Sequence, residues 1–366
     1  RPDFRTINRF RSEVMKEVVD KTFASVLETL IEKGYVKVEN YFVDGTKIEA
    51  NASRYSYVWS KSTKKHKQRV QEKIKELLKQ IDRVDEEENE EYGDRDLEEL
   101  GEGINLDPAE LERKIEELNE KLKKKPDKQQ AKAVKMVEKV YLPRLRKYEE
   151  QEAILGGRNS YSKTDPDATF MRMKDDHLQN GQLKPAYNVQ LGTENQFILG
   201  FSIHQRPDDS TCLIHHLEHV KNAQLGKLPQ NIIADAGYGS EENYEYLVRH
   251  GLGNYVKYNT FHLERTRKFK NDPFRVENLL YDECKDEYIC PAGKRMRHVK
   301  VKRTRTINGY LTEQAIYECE DCSGCLLKEK CTKSKGNRQI QVNKRLQKLR
   351  QEAACNLCSE KGKLLR

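Results

Sequence analysis

Apolar positions recur along this chain with two different periods, and the switches between them predict its elements. Val14, Val18, Phe23, Val26, Leu27, Leu30 and Ile31 form a helical stripe over residues 1–34, which Gly34 is placed to end. A short apolar run, Tyr41-Phe42-Val43, then stops at Asp44-Gly45; a second, Ile232-Ile233-Ala234, stops at Asp235-Ala236-Gly237. Each reads as a buried strand ending in a small-residue turn. Residues 65–92 predict a helix, with Val70, Ile74, Leu77, Ile81 and Val84 spaced four, three, four and three apart as in a coiled-coil seam. Leu111, Ile115, Leu118 and Leu122 repeat the pattern over 109–123, with Asp107-Pro108 as a helix start. The two segments predict an antiparallel helical hairpin. A third helix is expected over 128–152, kinked or broken at Pro143.

After residue 183 the period changes to two. Tyr187, Val189 and Leu191 alternate, then Phe197, Leu199, Phe201 and Ile203, with Gly192-Thr193-Glu194-Asn195 between them as the turn of a β-hairpin. A helix is expected over 210–225, then the strand ending at Asp235, a helix near 240–250 and a short strand, Asn254-Tyr255-Val256-Lys257. Without the helical insert this is a mixed α/β layer.

Composition narrows the classes. The 366 residues are 36% hydrophobic and 35% charged, which supports a modest core carrying long solvated helices. No apolar run approaches the ~20 residues of a membrane span, and Arg1-Pro2-Asp3-Phe4-Arg5 has no apolar signal region, so no membrane partner and no secretion are expected. Net charge is +8, but residues 86–102 hold ten acids, so the remainder is more basic than the total implies. That acidic stretch is expected to form a loop facing away from any phosphate backbone.

Candidate chemistry falls in three places. Asp44 and Asp235, on neighbouring strands, could hold divalent metal for phosphoryl chemistry, or could simply cap their turns. Eight of the nine cysteines lie between Cys284 and Cys358, and Cys290, Cys319, Cys322, Cys325 and Cys331 have spacings suited to tetrahedral Zn²⁺, with one thiol more than four ligands require. Lys294, Arg295, Arg297, Lys300, Lys302, Arg303 and Arg305 alternate with Val299 and Val301, which suggests a strand with one basic, phosphate-contacting face; the competing reading is a solvated edge strand. Tyr238 is a lesser candidate for base stacking against helix packing. His177, His204, His215, His216 and His219 lack a zinc-protease pattern and read as surface or packing residues.

Three stretches together resemble the DDE transposases of bacterial insertion sequences: Phe42 to Ala52, Ser162-Lys163-Thr164-Asp165-Pro166-Asp167-Ala168-Thr169, and Ala234-Asp235-Ala236-Gly237-Tyr238-Gly239-Ser240. The cysteine-rich tail is also similar to that family's. The resemblance implies an α/β fold: a ribonuclease-H-like mixed sheet core, a long helical-hairpin insertion and a C-terminal cysteine-rich, zinc-binding segment. The corresponding divisions are a helical remnant at 1–34, core at 35–60, insertion at 61–155, core at 156–260 and the cysteine-rich basic segment at 261–366. It implies that Asp44 and Asp235 are the first two acids of a catalytic triad holding two Mg²⁺ or Mn²⁺ ions. It favours Cys290, Cys322, Cys325 and Cys331 as zinc ligands, with Cys319 as the alternative. The implied partners are DNA, as transposon ends and target, with dimerisation through the helical insert a further expectation, in a bacterial cytoplasm at the nucleoid.

The family's third acid is a glutamate on a helix beyond the cysteine-rich segment, and the chain reaches Arg366 without that pattern. Glu241 and Glu242 are too close to Asp235 to fill the place, and Glu264, among Arg265, Arg267 and Lys268, reads as solvated. The expectation is therefore a fragment truncated at both ends and inactive as it stands. Two other readings stay open: a zinc-stapled nucleic-acid-binding protein without catalysis, and a metal-dependent nuclease on the same fold.

Overall fold

The computed structural model describes residues 2–92, 107–124, 126–173 and 181–366, with only the backbone described over 82–92. The chain divides into two compact units, residues 1–46 with 188–366 and residues 47–187.

The first unit is built on a mixed sheet. Its strands are β1 (Asn40–Glu49), β2 (Leu183–Glu194), β3 (Phe197–His204), β4 (Asn231–Ala234) and β5 (Gly253–Val256), in the order β3-β2-β1-β4-β5. β1 and β2 both continue past the boundary into the second unit. β2 and β3 form the antiparallel hairpin, and β1, β4 and β5 run parallel. This mixed α/β architecture is consistent with the ribonuclease-H-like core of a DDE transposase. Helices cover the sheet because parallel strands require crossover connections. One core gathers Tyr41, Val43, Ile232, Ala234, Val256, Leu213, Leu217 and Leu247, with Leu349 and Ala353 from the helix Lys344–Cys358. A second holds Ile233, Tyr255, Tyr258, Phe261 and Leu357.

The hairpin turn lies further along than the glycine suggested. Asn195 and Gln196 have φ of 50° and 70°, the two left-handed residues of a tight primed turn, while Gly192, Thr193 and Glu194 remain in β2 with a bulge after Gly192. Gly192 sits opposite Gly200 for a packing reason: a Cβ at either would overlap the buried Tyr41 side chain. The Tyr41 hydroxyl is hydrogen-bonded to His216 Nε2 at 2.9 Å, and His216 Nδ1 to Ser202 Oγ at 2.7 Å. Burial, assisted by His204 and His219, lowers the His216 pKa to about 3, so this ring is a neutral core group rather than a surface residue. His177 lies outside the described residues.

The turn position gives Glu194 its role. Its buried carboxylate accepts hydrogen bonds from four successive backbone N–H groups: Lys37 at 2.9 Å, Val38 at 2.7 Å, Glu39 at 2.8 Å and Asn40 at 2.8 Å. Val38 has φ of 59°, a strained region for a β-branched residue, and it lies within the gripped segment. The register of β1 against β4 begins directly afterwards, at Asn40 opposite Asn231.

A second sheet in the same unit, antiparallel throughout, has the order Gln339–Val342, Leu311–Cys319, Arg295–Arg305, Glu287–Ile289, Leu280–Asp282. Its core contains Tyr288, Met296, Tyr317, Ile340 and Val342. The N-terminal stretch is helical from Phe4 to Glu32 through a π-helical turn at Phe10–Met15, but only Leu27 of the expected stripe is fully buried there; Val14 and Val26 are exposed.

The second unit is dominated by helices Ser60–Tyr92, Pro108–Lys124, Lys128–Met136 and Leu142–Leu155, whose apolar faces form one core. The buried positions of the first are Val70, Ile74, Leu78 and Ile81, with Leu77 only partly covered. The seam is therefore wider than a two-helix heptad, because the helix packs against more than one neighbour. The third segment is interrupted beside Pro143 rather than at it, into Lys128–Met136 and Leu142–Leu155. A π-helical turn at Val137–Tyr141 precedes it, and Pro143 falls in the first turn of Leu142–Leu155, where a missing N–H is tolerated. Of the acidic stretch, 86–92 continues the first helix rather than a loop, and 93–102 lies outside the described residues.

Burial acts to raise the Glu194 pKa, but the four backbone donors outweigh it and hold the carboxyl below its ordinary value. A depressed folded pKa stabilises the fold above the unfolded value of ~4.3, and that stabilisation disappears as pH falls through the folded value. Glu194→Gln is thus expected to cost about 2–3 kcal/mol at pH 7, and less as pH drops below about 4. Urea unfolding at pH 7 and pH 3 measures both; an equal cost at the two pH values contradicts the charge-assisted grip.

Candidate active site

Asp44 and Asp235 meet because their strands are adjacent and in register. Val43 pairs with Ala234 in the last rung of the parallel β1–β4 ladder, so an aspartate follows on each side; Asp235 stands just past the end of β4, whereas Asp44, expected at a strand end, lies midway along β1, which runs on to Glu49. Ligands of open α/β sheets bind at the carboxyl ends of the strands, where Asp235 stands. Both side chains are exposed. Asp44 Oδ1 accepts from the Gly45 N–H at 2.8 Å, and Asp235 Oδ1 from the Gly237 N–H at 2.9 Å. Asp235 therefore caps its turn, whereas Asp44 accepts from a neighbour inside β1 and caps none; both keep exposed carboxylate oxygens.

A third carboxylate, Asp209, approaches the pair and was not singled out from the sequence. It opens the short turn Asp209–Thr211, and its Oδ1 accepts from Asn188 Nδ2 at 2.9 Å and Gln190 Nε2 at 3.0 Å. A Cβ at Gly45 would overlap Asp209 Oδ1 and Gln190 Nε2, and one at Gly237 would stand 3.8 Å from Asp209 Oδ2. The missing side chain at Gly45 thus leaves room for Asp209, whereas Gly237 leaves Asp209 at ordinary contact distance. The available signal was weak: Pro207-Asp208-Asp209-Ser210 reads as ordinary turn chemistry.

Tyr238 closes the floor of this cluster. It is fully buried and donates its hydroxyl to Gln190 Oε1, so it packs inward and offers no ring for base stacking. Burial raises its pKa, and Asp209, Asp44 and Asp235 add to the rise, which places all three carboxylates around one phenol. Cys212 beside it is buried, with its thiol pushed up to about 12 by that burial. Among the described residues no three His, Cys, Asp or Glu side chains are close enough to share one metal ion. The donor set at Asp44 and Asp235, hard carboxylate oxygens from adjacent strands, nevertheless suits Mg²⁺ or Mn²⁺.

The glutamates considered for a third acid are engaged elsewhere. Glu241 accepts from Thr312 Oγ1 at 2.5 Å and Asn343 Nδ2 at 2.6 Å, and Glu242 from Thr306 Oγ1 at 3.2 Å. Glu264 is not a solvated residue; it is half-buried and accepts from Tyr258 at 2.8 Å and Thr260 at 2.5 Å.

The cysteines converge. Cys290, Cys319, Cys322, Cys325 and Cys331 all line one cavity of about 10 Å³, close to the space of a single water. As placed, no three of their sulfurs are within reach of a common ion. Arg338 is buried against them, its NH1 donating to Cys331 Sγ at 3.1 Å and its backbone N–H to Cys322 Sγ at 3.4 Å. Cys355 and Cys358 are exposed on the helix Lys344–Cys358, apart from this cavity.

The basic strand Arg295–Arg305 has two faces, not one. A bulge between His298 and Lys300 shifts the alternation, which the register against Leu311–Cys319 makes explicit. Arg295, Arg297, Lys300 and Lys302 fall on one face because of that extra residue. Arg303 and Arg305 fall on the other, with Val301. Arg295 and Arg297 pair with Glu287 at 3.3 and 3.2 Å, and Arg303 with Glu313 at 2.7 Å. Lys294 pairs with Asp321 at 2.9 Å. Lys300 and Lys302 have no acidic partner among the described residues.

Two carboxylates that follow the same rung of adjacent parallel strands are an arrangement of the kind that divalent-cation phosphoryl transfer employs. Residues 158–319 match a family model described as Transposase DDE domain, and residues 289–366 match a second model of the same description. These matches support a DDE transposase, a class that cleaves and transposes DNA. Asp235 and the basic strand lie within the matched residues, and Asp44 precedes them. Neither a curated protein nor a solved structure matches the chain. Among the described residues no helix is long and apolar enough to cross a membrane.

Gly45→Ala forces Asp209 or Gln190 to move, so a loss of about 1–3 kcal/mol is expected. Denaturant unfolding reads it directly; an unchanged midpoint means that Asp209 does not stand over Gly45 in solution.

Proposed function

We propose that this chain carries the catalytic core of a DNA transposase of the bacterial insertion-sequence type, which cuts and joins DNA at the element's ends. The observation that carries the reading is the register-matched pair Asp44 and Asp235 just past the last rung of the parallel β1–β4 ladder, within a chain that matches transposase DDE domains. A bound divalent cation supplies Lewis acidity and charge neutralisation there. Asp44 and Asp235 contribute its oxygen ligands, Asn188 and Gln190 hold Asp209 beside them, and Tyr238 seals the floor from water. A glutamate on a helix after the cysteine-rich segment, as the resemblance implies, would complete the triad.

The basic face of Arg295, Arg297, Lys300 and Lys302 is proposed as a DNA-backbone contact, with Lys300 and Lys302 the more available members. The cysteine cavity is proposed as a Zn²⁺ site of Cys290, Cys322, Cys325 and Cys331, with Cys319 as the alternative ligand. Its thiolates suit that ion, and the buried Arg338 guanidinium offsets their charge.

Calorimetric Mn²⁺ titration of the parent and of the Asp44→Asn, Asp235→Asn double variant separates catalysis from turn capping. At least a tenfold loss of affinity is expected; equal affinities refute the active-site assignment. Elemental analysis of natively purified protein is expected to give about one zinc per chain, by the four-thiolate arithmetic of a structural site. A content near zero removes the zinc assignment and leaves the aspartate site standing.

A further inference from the structure

We propose that the helical insert carries its own nucleic-acid site, a groove that grips the phosphate backbone of DNA. The groove has a volume of about 790 Å³ and lies wholly within the second unit. Along the helix Ser60–Tyr92, His66, Arg69 and Lys73 recur three and four residues apart, so they project from one ridge. Arg144 and Tyr148 face them across the groove, and the His66 and Tyr148 rings are stacked, 6.3 Å between centroids at 17°. Lys75 and Lys79 extend the cationic lining, and Glu72 and Glu76 also line the groove, so its basic side chains outnumber its acidic ones.

Arg69, Lys73, Lys79 and Arg144 are exposed, and none has an acidic partner among the described residues. The fold therefore leaves these charges unspent. Some cations of the same unit are paired, Lys67 with Glu152 at 2.7 Å and Lys184 with Glu49 at 2.7 Å, and others such as Lys132, Lys135 and Lys139 are exposed like those of the groove; what distinguishes the groove is that its cations converge on one hollow beside the stacked rings. Two guanidinium forks suit phosphate oxygens, and the stacked rings offer a flat face beside them that an acidic peptide would not use. The ligand assignment rests on the DNA-acting reading above; the groove itself does not.

The test is fluorescence anisotropy of a labelled DNA duplex against the full chain over a range of salt. The groove variant is Arg69→Ala with Lys73→Ala and Arg144→Ala. The control is Lys132→Ala with Lys135→Ala and Lys139→Ala, which removes the same charge from exposed positions of the neighbouring helical segment. Circular dichroism is expected to be unchanged in both, because all six side chains are exposed. The groove variant is expected to bind at least tenfold more weakly and to flatten the salt dependence by about 2–3 in log–log slope, whereas the control changes less than twofold. Equal losses in both variants, or no loss in the groove variant while the parent binds, overturn the groove. Displacement of DNA by poly-glutamate at equal charge concentration overturns the nucleic-acid assignment. If the parent itself binds no duplex, the DNA-acting reading fails as well, so the two failures are distinguishable.

Discussion

The grip of Glu194 on the four N–H groups from Lys37 to Asn40 is the constraint on which the candidate site depends. A single carboxylate takes four backbone donors that no ladder could use, at the point where the chain enters β1. It holds Val38 in a strained left-handed conformation and fixes where pairing with β4 begins. Slipping β1 by one residue would turn Tyr41 and Val43 out of the core and remove Asp44 from Asp235. The grip acts together with Tyr41, whose ring occupies the space left by Gly192 and Gly200, so β1 is clamped against β2 and β3.

Once β1 is fixed, the carboxylates follow from steric allowance. Asp44 accepts from the next N–H within β1 and Asp235 bends back onto its turn, and the missing side chain at Gly45 leaves the space that Asp209 occupies. Three like charges in one place repel each other, and their arrangement is held by neutral donors, Asn188 and Gln190, with Tyr238 below. Carboxylate oxygens are the ligands that hard divalent cations prefer, and the family models that the chain matches describe a class that generally uses such ions.

The second sheet shows how one residue can redistribute charge. Read as strict alternation, Arg297 and Lys300 belong to opposite faces. The bulge at Val299 brings them together and sends Arg303 and Arg305 to the other side. In the helical insert, Arg69, Lys73 and Arg144 meet only because the segments bearing them share a core, since they are more than seventy residues apart in sequence.

The sequence by itself determined what short-range pattern can encode: the aspartate after each of the two apolar runs, the helical insert, the β2–β3 hairpin and the cysteine spacing. Periodicity and turn chemistry are local, and so is the resemblance those motifs carry. The tertiary structure decided whatever depends on long-range packing. Leu78 rather than Leu77 fills the seam because the helix has more than one neighbour. Pro143 is absorbed because a π-helical turn stands before it. Asp209 and Glu194 gain their roles from partners 19 to 157 residues away that no local window contains. Burial made Tyr238 and His216 core groups, because both hydroxyl and ring found hydrogen-bond partners inside.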